Sequence, residues 1–191
     1  MIRLNIIHLH HGEGYPPHRQ QRYDTLMKEL ASQNITDYKI WPGVEDKVPH
    51  TGISRAFKAI VQDAKDKELG MVCIGEDDLR FSAPGAWQYF LENIPAYFDM
   101  YLASFYSGMI TFDNRIENFR GMSLIIVHQR FYDKFLSIPE DKNIDNALDG
   151  LGEYFVCPQW VATQHPGFSD KDQKMVNYDS KIPKERLFKG Y

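Results

Sequence analysis

Short apolar runs alternate with stretches of helical period along most of this chain. Ile2 to Leu9 is an apolar run of strand length, followed by a polar loop from His10 to Arg19. Asp24 is placed to cap a helix whose apolar face carries Leu26, Met27 and Leu30. Tyr38 to Trp41 reads as a second strand, closed by Pro42-Gly43. Ser54 then caps a helix in which Ala56, Phe57, Ile60, Val61 and Ala64 share one face, with Gly70 just past its end. A third apolar run starts at Met71. Pro84 opens a helix that turns Trp87, Phe90, Leu91 and Ile94 inward, and Pro95 stops it. Tyr97 to Phe105 and Gly121 to Val127 read as strands. Phe131, Tyr132, Phe135 and Leu136 mark a helix ended by Pro139. A short helix near Ile144 to Leu151 and a strand near Tyr154 to Val156 complete the pattern. From Ser169 onward the chain is polar and reads as a surface-draped tail. Strand and helix in alternation predict an α/β sheet protein.

The 191 residues suffice for one ordinary domain, expected over 1–170 with the polar tail over 171–191. A chain of this size buries roughly 70% of its unfolded surface, so it needs neither disulfides nor structural zinc. Net charge is −4, which argues against a nucleic-acid binder driven by phosphate neutralisation. There is no run of 18 apolar residues to span a membrane, and the amino terminus lacks the apolar core of a signal peptide. Cys73 and Cys157 lie in apolar contexts far apart in sequence and read as reduced, buried thiols of a cytoplasmic protein.

The candidate chemistry begins at Met71-Val-Cys-Ile-Gly-Glu-Asp-Asp-Leu-Arg-Phe81. The apolar run stops at three consecutive acids, Glu76, Asp77 and Asp78. Carboxylates gathered at a strand end are costly unless a cation or solvent sits among them. The carboxyl end of a strand in an open α/β sheet is also where ligands bind. Hard oxygen ligands there suit a divalent cation and a phosphate-bearing substrate. The alternative is a solvated acidic loop. His8, His10, His11 and His18 crowd the first strand and loop, but no carboxylate or Cys is spaced to complete a metal site with them.

The order of these features resembles the bacterial lipopolysaccharide-type glycosyltransferases with the A-type (GT-A) nucleotide-diphospho-sugar transferase fold. Arg22 lies at the start of the first helix, Gly52-Ile-Ser54 opens the second, and Glu76-Asp-Asp78 is the acidic triplet. Asp145 in Asn-Ile-Asp-Asn-Ala-Leu and Gln164-His-Pro-Gly167-Phe-Ser169-Asp170 match the late segments. Arg55 stands where the family has His, and Gly75 replaces an aliphatic residue before the triplet.

The resemblance implies a GT-A-like, Rossmann-related mixed sheet flanked by helices. It implies transfer of a sugar from a nucleoside diphosphate sugar to an acceptor hydroxyl on a cell-surface glycan or lipid-linked saccharide, with Mn2+ or Mg2+ and without nucleic acid. A lipid-linked acceptor can bring the protein to a membrane surface. Asp78 is expected to bind the metal, with Glu76 as a ligand through water or a ribose partner. Asp77 is assigned to the cofactor site or to structure. His165 is a candidate late metal ligand, its alternative being a loop histidine bonded to backbone. Arg22, Gln164 and Ser169 are candidate phosphate or ribose contacts. Asp145 is the candidate base for an inverting transfer, its alternative being a helix-dipole partner; a retaining course needs no such base. Two other functions stay open. One is a sugar nucleotidyltransferase, faintly echoed in Gly12-Glu-Gly14-Tyr-Pro-Pro-His-Arg19, and the other is a non-catalytic sugar-nucleotide-binding module.

Overall fold

The computed structural model describes residues 2–191; Met1, the first residue of the expected domain, lies outside them. Strand β1 (Leu4–His8) leads to helix α1 (Pro17–Ser32), then β2 (Tyr38–Pro42) and α2 (Pro49–Asp66). Next come β3 (Met71–Glu76), β4 (Leu79–Phe81), α3 (Ala86–Glu92) and β5 (Met100–Leu102). The hairpin β6 (Ser107–Ile110) and β7 (Ile116–Arg120) precedes β8 (Leu124–His128), α4 (Tyr132–Leu136) and α5 (Ile144–Ala147). The chain closes with β9 (Tyr154–Val156), β10 (Ala162–Gln164), β11 (Gly167–Ser169) and β12 (Lys174–Val176).

Six strands form one sheet in the order β2-β1-β3-β8-β5-β9. β8 runs antiparallel to both β3 and β5, and the other pairings are parallel. The α/β class with a mixed central sheet flanked by helices is therefore the observed architecture. Strand alternation divides the core in two. Val72, Ile74, Ile125 and Val127 face Phe57, Ile60 and Val61 of α2. Leu4, Ile6, Cys73, Leu124 and Ile126 face Leu26 and Leu30 of α1. Gly75 lies on the α1 side, where a Cβ would come within 3.2 Å of the Ile6 side chain. Ile6 and Leu124 thus fill the space an aliphatic residue would take. No helix among the described residues is long and apolar enough to cross a membrane.

Several expected boundaries move. α1 starts at Pro17, seven residues before Asp24, because proline preset at the first helical position needs no N–H partner. Asp24 instead accepts from Gln20 Nε2 one turn earlier. α2 likewise starts at Pro49, so Ser54 is a buried residue within the helix rather than its cap. The inward face of α2 is as expected: Ala56, Phe57, Ile60, Val61 and Ala64 are all buried. α3 is entered through Gly85, whose φ of 81° belongs to the left-handed region, so Pro84 lies outside the helix. The expected boundary at 170/171 falls inside the β11–β12 hairpin. Beyond it the chain buries Ile182 and Phe188, so the polar composition after Ser169 conceals apolar anchors.

Gly52 shapes the loop that enters α2. A Cβ at this position would lie 2.0 Å from the Val44 carbonyl oxygen, a backbone atom that cannot swing away. Gly52→Ala is expected to cost about 1–3 kcal/mol. Chemical denaturation with an unchanged m-value checks it, and wild-type stability would contradict the packing.

Candidate functional site

The site assembles where β1, β2 and β3 end. β3 stops at Glu76, Asp77 and Asp78 form the turn, and the chain returns as β4. The period of two sends Glu76 to the α2 side of the sheet and Asp77 to the α1 side. Beside the acids opens a cleft of about 680 Å³. Glu76, Asp78, Asp145 and Gln164 line it, with Arg22 and Arg120. Lys47 from the β2–α2 loop and Lys171 from the β11–β12 turn add ammonium groups to its walls. A smaller cavity of about 260 Å³ lies toward α1 and shares Arg22, Asp77 and Asp78 with the cleft.

Antiparallel pairing of β4 with β10 brings the late residues to the triplet. Leu79 sits opposite Gln164, and the His165 N–H donates to the Asp78 carbonyl at 2.7 Å. Gln164 Nε2 donates to Glu76 Oε2 at 2.6 Å, and the Tyr106 hydroxyl donates to Gln164 Oε1. The amide is thereby fixed in one orientation, its carbonyl taken and its NH2 holding Glu76.

His165 departs from the expectation of a metal ligand. Alternation along β10 puts Gln164 on the cleft side and turns the next side chain away. His165 Nε2 meets Glu29 Oε1 on α1 at 2.8 Å and lines only the smaller cavity. Glu76, Asp78 and His165 therefore do not form one ligand cage, and among the described residues no three His, Cys, Asp or Glu side chains converge as one.

Asp77 takes the structural alternative, although it also lines the cleft. Its Oδ2 meets His8 Nδ1 at 2.7 Å and its Oδ1 accepts from Arg22 Nη1 at 2.9 Å, so both oxygens are engaged inside the protein. Arg22 also donates to the Phe168 carbonyl at 2.8 Å and lies 3.8 Å from Asp78 Oδ2. Ser169 lines the cleft, but its hydroxyl accepts from the Asp172 N–H and braces the hairpin turn. Asp145 Oδ2 accepts from the Gly121 N–H at 3.1 Å, which aims the carboxylate.

From sequence, Arg19 figured only at the end of the polar loop with its faint nucleotidyltransferase echo, and neither Tyr106 nor Tyr178 was singled out. Arg19, one helical turn before Arg22, pairs with Glu45 and Asp170 and so ties α1 to the cleft rim and the hairpin. The i, i+3 spacing of the two arginines was the available signal. Tyr106 stacks on Tyr178 at 4.5 Å, and nothing local in the sequence couples residues so far apart.

Burial dominates the electrostatics. It pushes the Glu76 carboxyl well above its usual range, with further repulsion from Asp78 and Asp145. It pushes Asp78 up to about 7, with Asp77 adding repulsion and Arg22 opposing. Asp78 Oδ1 is buried with no hydrogen-bond partner among the described residues. An orphaned oxygen on a crowded carboxylate is the feature a divalent cation would satisfy. Magnesium and manganese fit this donor set, because they take one or two carboxylates and complete their shells with water and substrate phosphate.

No protein-family model matches the chain, and no curated protein matches it. Among solved structures, it is similar to HddC from Yersinia pseudotuberculosis complexed with GMP-PN. The identity is 10% over 86% of this chain and 93% of that one, with TM-score 0.47. It is similar to the inositol-1-phosphate CTP transferase from T. maritima at 12% identity over 96% and 93%, with TM-score 0.49. It is also similar to a glycosyltransferase involved in glycosylation of the major capsid of PBCV-1, at 12% identity over 81% of each chain, with TM-score 0.46.

The raised Asp78 value sets a sign. In metal-free protein the folded state holds a proton that the unfolded state releases, so this group's contribution to stability declines as pH rises from 3.8 to about 7. In the presence of a chelator, Asp78→Asn is expected to gain melting temperature on wild type across that window and to hold a constant lead above it. A lead that stays flat with pH would contradict the burial account.

Proposed function

We propose that this protein is a glycosyltransferase that moves a sugar from a nucleoside diphosphate sugar to an acceptor hydroxyl, using Mg2+ or Mn2+. The observation that carries the reading is Asp78: a crowded carboxylate with a buried, partnerless oxygen, at the carboxyl end of a central strand, on the wall of a cleft where Arg22, Lys47, Arg120 and Lys171 stand among several acids. A bound divalent cation supplies charge neutralisation for the departing diphosphate.

Asp78 would hold the cation together with the donor's own phosphate oxygens. Arg22, Lys47 and Lys171 surround the place where those phosphates would lie, and guanidinium N–H groups match phosphate oxygens in geometry. Glu76 is kept on the cleft wall by Gln164, leaving its other oxygen for a ribose hydroxyl or a metal-bound water. Asp145, aimed by the Gly121 N–H, accepts the proton of the acceptor hydroxyl. The acceptor oxygen bonds to the anomeric carbon as the bond from that carbon to the phosphate oxygen breaks. The nucleoside diphosphate leaves with the electron pair. The acceptor is proposed to be a glycan or lipid-linked saccharide, met by the protein in the cytoplasm.

Calorimetry with manganese and a panel of nucleotide sugars tests the binding step. At least one donor is expected to bind wild type only when metal is present, and Asp78→Ala is expected to abolish that binding. Unchanged binding in Asp78→Ala would contradict the assignment. Release of pyrophosphate in place of nucleoside diphosphate would mark a nucleotidyltransferase, and binding without turnover would mark a non-catalytic module.

Asp145→Asn is expected to lower kcat by about 10²–10⁴-fold while donor affinity stays within about 3-fold. A loss confined to donor affinity would place Asp145 in binding rather than proton transfer.

A further inference from the structure

We infer that His8 is a positioning residue of this site, acting through Asp77 to hold the Arg22 guanidinium at the cleft. The inference rests on the reading of the cleft as a nucleoside diphosphate site.

β1 ends at His8, and the parallel register of β1 with β3 sets Ile7 opposite Glu76. The His8 imidazole therefore arrives beside the acidic turn. Its side chain is only 2% exposed and both ring nitrogens are engaged. Nδ1 lies 2.7 Å from Asp77 Oδ2, and Nε2 lies 2.7 Å from His11 Nδ1. An ionised Asp77 requires the proton on Nδ1, so His8 Nε2 and His11 Nδ1 share a single proton between them. His11 stacks on Tyr23 of α1 at 4.2 Å, which fixes the outer end.

Asp77 is the pivot of this chain. Its side chain is 8% exposed, and its two oxygens take donors from opposite sides, His8 on one and Arg22 on the other. A carboxylate held at both oxygens has one orientation, and the guanidinium bonded to it inherits that orientation. Arg22 is held a second time by the Phe168 carbonyl. The result is a cation aimed at the space beside Asp78, lining both the cleft and the smaller cavity.

Leu4 and Ile6 supply the apolar contacts of β1 against α1, and the His8 ring adds one to Tyr23 at 5.4 Å, a contact that a leucine could also make. A buried polar chain of histidine, aspartate and arginine adds little or no stability over apolar residues of the same volume. It does restrict geometry, and a small misplacement of a group that contacts a reacting phosphate is costly in rate. The two bound oxygens also explain why the middle acid of the triplet serves as a bracket while its neighbour Asp78 keeps an oxygen unpartnered.

The test is a double-mutant cycle read by calorimetry with manganese and UDP, GDP, ADP, CDP or dTDP as probe. His8→Leu is expected to weaken the nucleoside diphosphate that binds wild type by about 10-fold, or ~1.4 kcal/mol. His8→Asn keeps a nitrogen donor near the Nδ1 position and is expected to stay within about 3-fold of wild type. In an Arg22→Ala background, His8→Leu is expected to have no further effect. Full additivity with Arg22→Ala, or wild-type affinity in His8→Leu, would overturn the positioning role alone. Failure of every diphosphate to bind wild type would overturn the cleft reading and the inference with it. Should His8→Leu not fold, His11→Leu removes the outer partner and is expected to give a smaller loss that likewise vanishes in Arg22→Ala. Equal losses in both backgrounds would overturn the inference.

Discussion

The structure depends on how negative charge is accommodated where β3 ends. Three consecutive carboxylates are brought into a partly desolvated corner between two helical layers, and each is treated differently. Asp77 is neutralised internally by Arg22 and bonded to His8. Glu76 is bonded to an amide that is itself oriented by Tyr106. Asp78 is left crowded, with one oxygen unpartnered. Isolated buried charge is costly, so burial pushes up the carboxyls of both Glu76 and Asp78, and of the three acids only Asp78 keeps a buried oxygen without a partner.

The rest of the chain delivers residues to that corner. The parallel strands β1, β2 and β3 end together, so the loops that follow them meet over the acids. The β4–β10 pairing returns the late chain to the same place, and the hairpin after it brings Lys171 and Tyr178 to the cleft. An ion pair from Arg19 and a hydrogen-bond contact from His18 to Asp170 hold that hairpin against α1. A segment more than 150 residues away in sequence thereby becomes one wall of the site.

Much of this was legible in the residues. The apolar faces of α2 and of the central strands follow from simple periodicity, and the core forms on those faces. The acidic triplet was legible as the end of a buried strand at a cleft, because an apolar run stops there at carboxylates, and the cleft lies beside it. Boundaries governed by Pro17 and Pro49 were missed because serine and aspartate signals further along competed with proline at the first helical position. The fate of His165 was not legible, because which face of a three-residue strand a side chain takes depends on a register set by β4. The partners of Asp77 lie on β1 and α1, and only the assembled sheet shows that His8 and Arg22 take up both of its oxygens. The lining of the cleft by the polar tail depends on Ile182 and Phe188, two apolar residues too sparse to register as a pattern.

The central claim is that a divalent cation bound at Asp78 bridges the protein to a donor diphosphate. The most direct measurement is anomalous X-ray scattering at the manganese edge from a crystal grown with Mn2+ and a nucleoside diphosphate. The account predicts a peak about 2.1 Å from an Asp78 carboxylate oxygen, with diphosphate oxygens on its other side. A nucleotide seated in the cleft with no peak at Asp78, or a peak held by other residues, would contradict it.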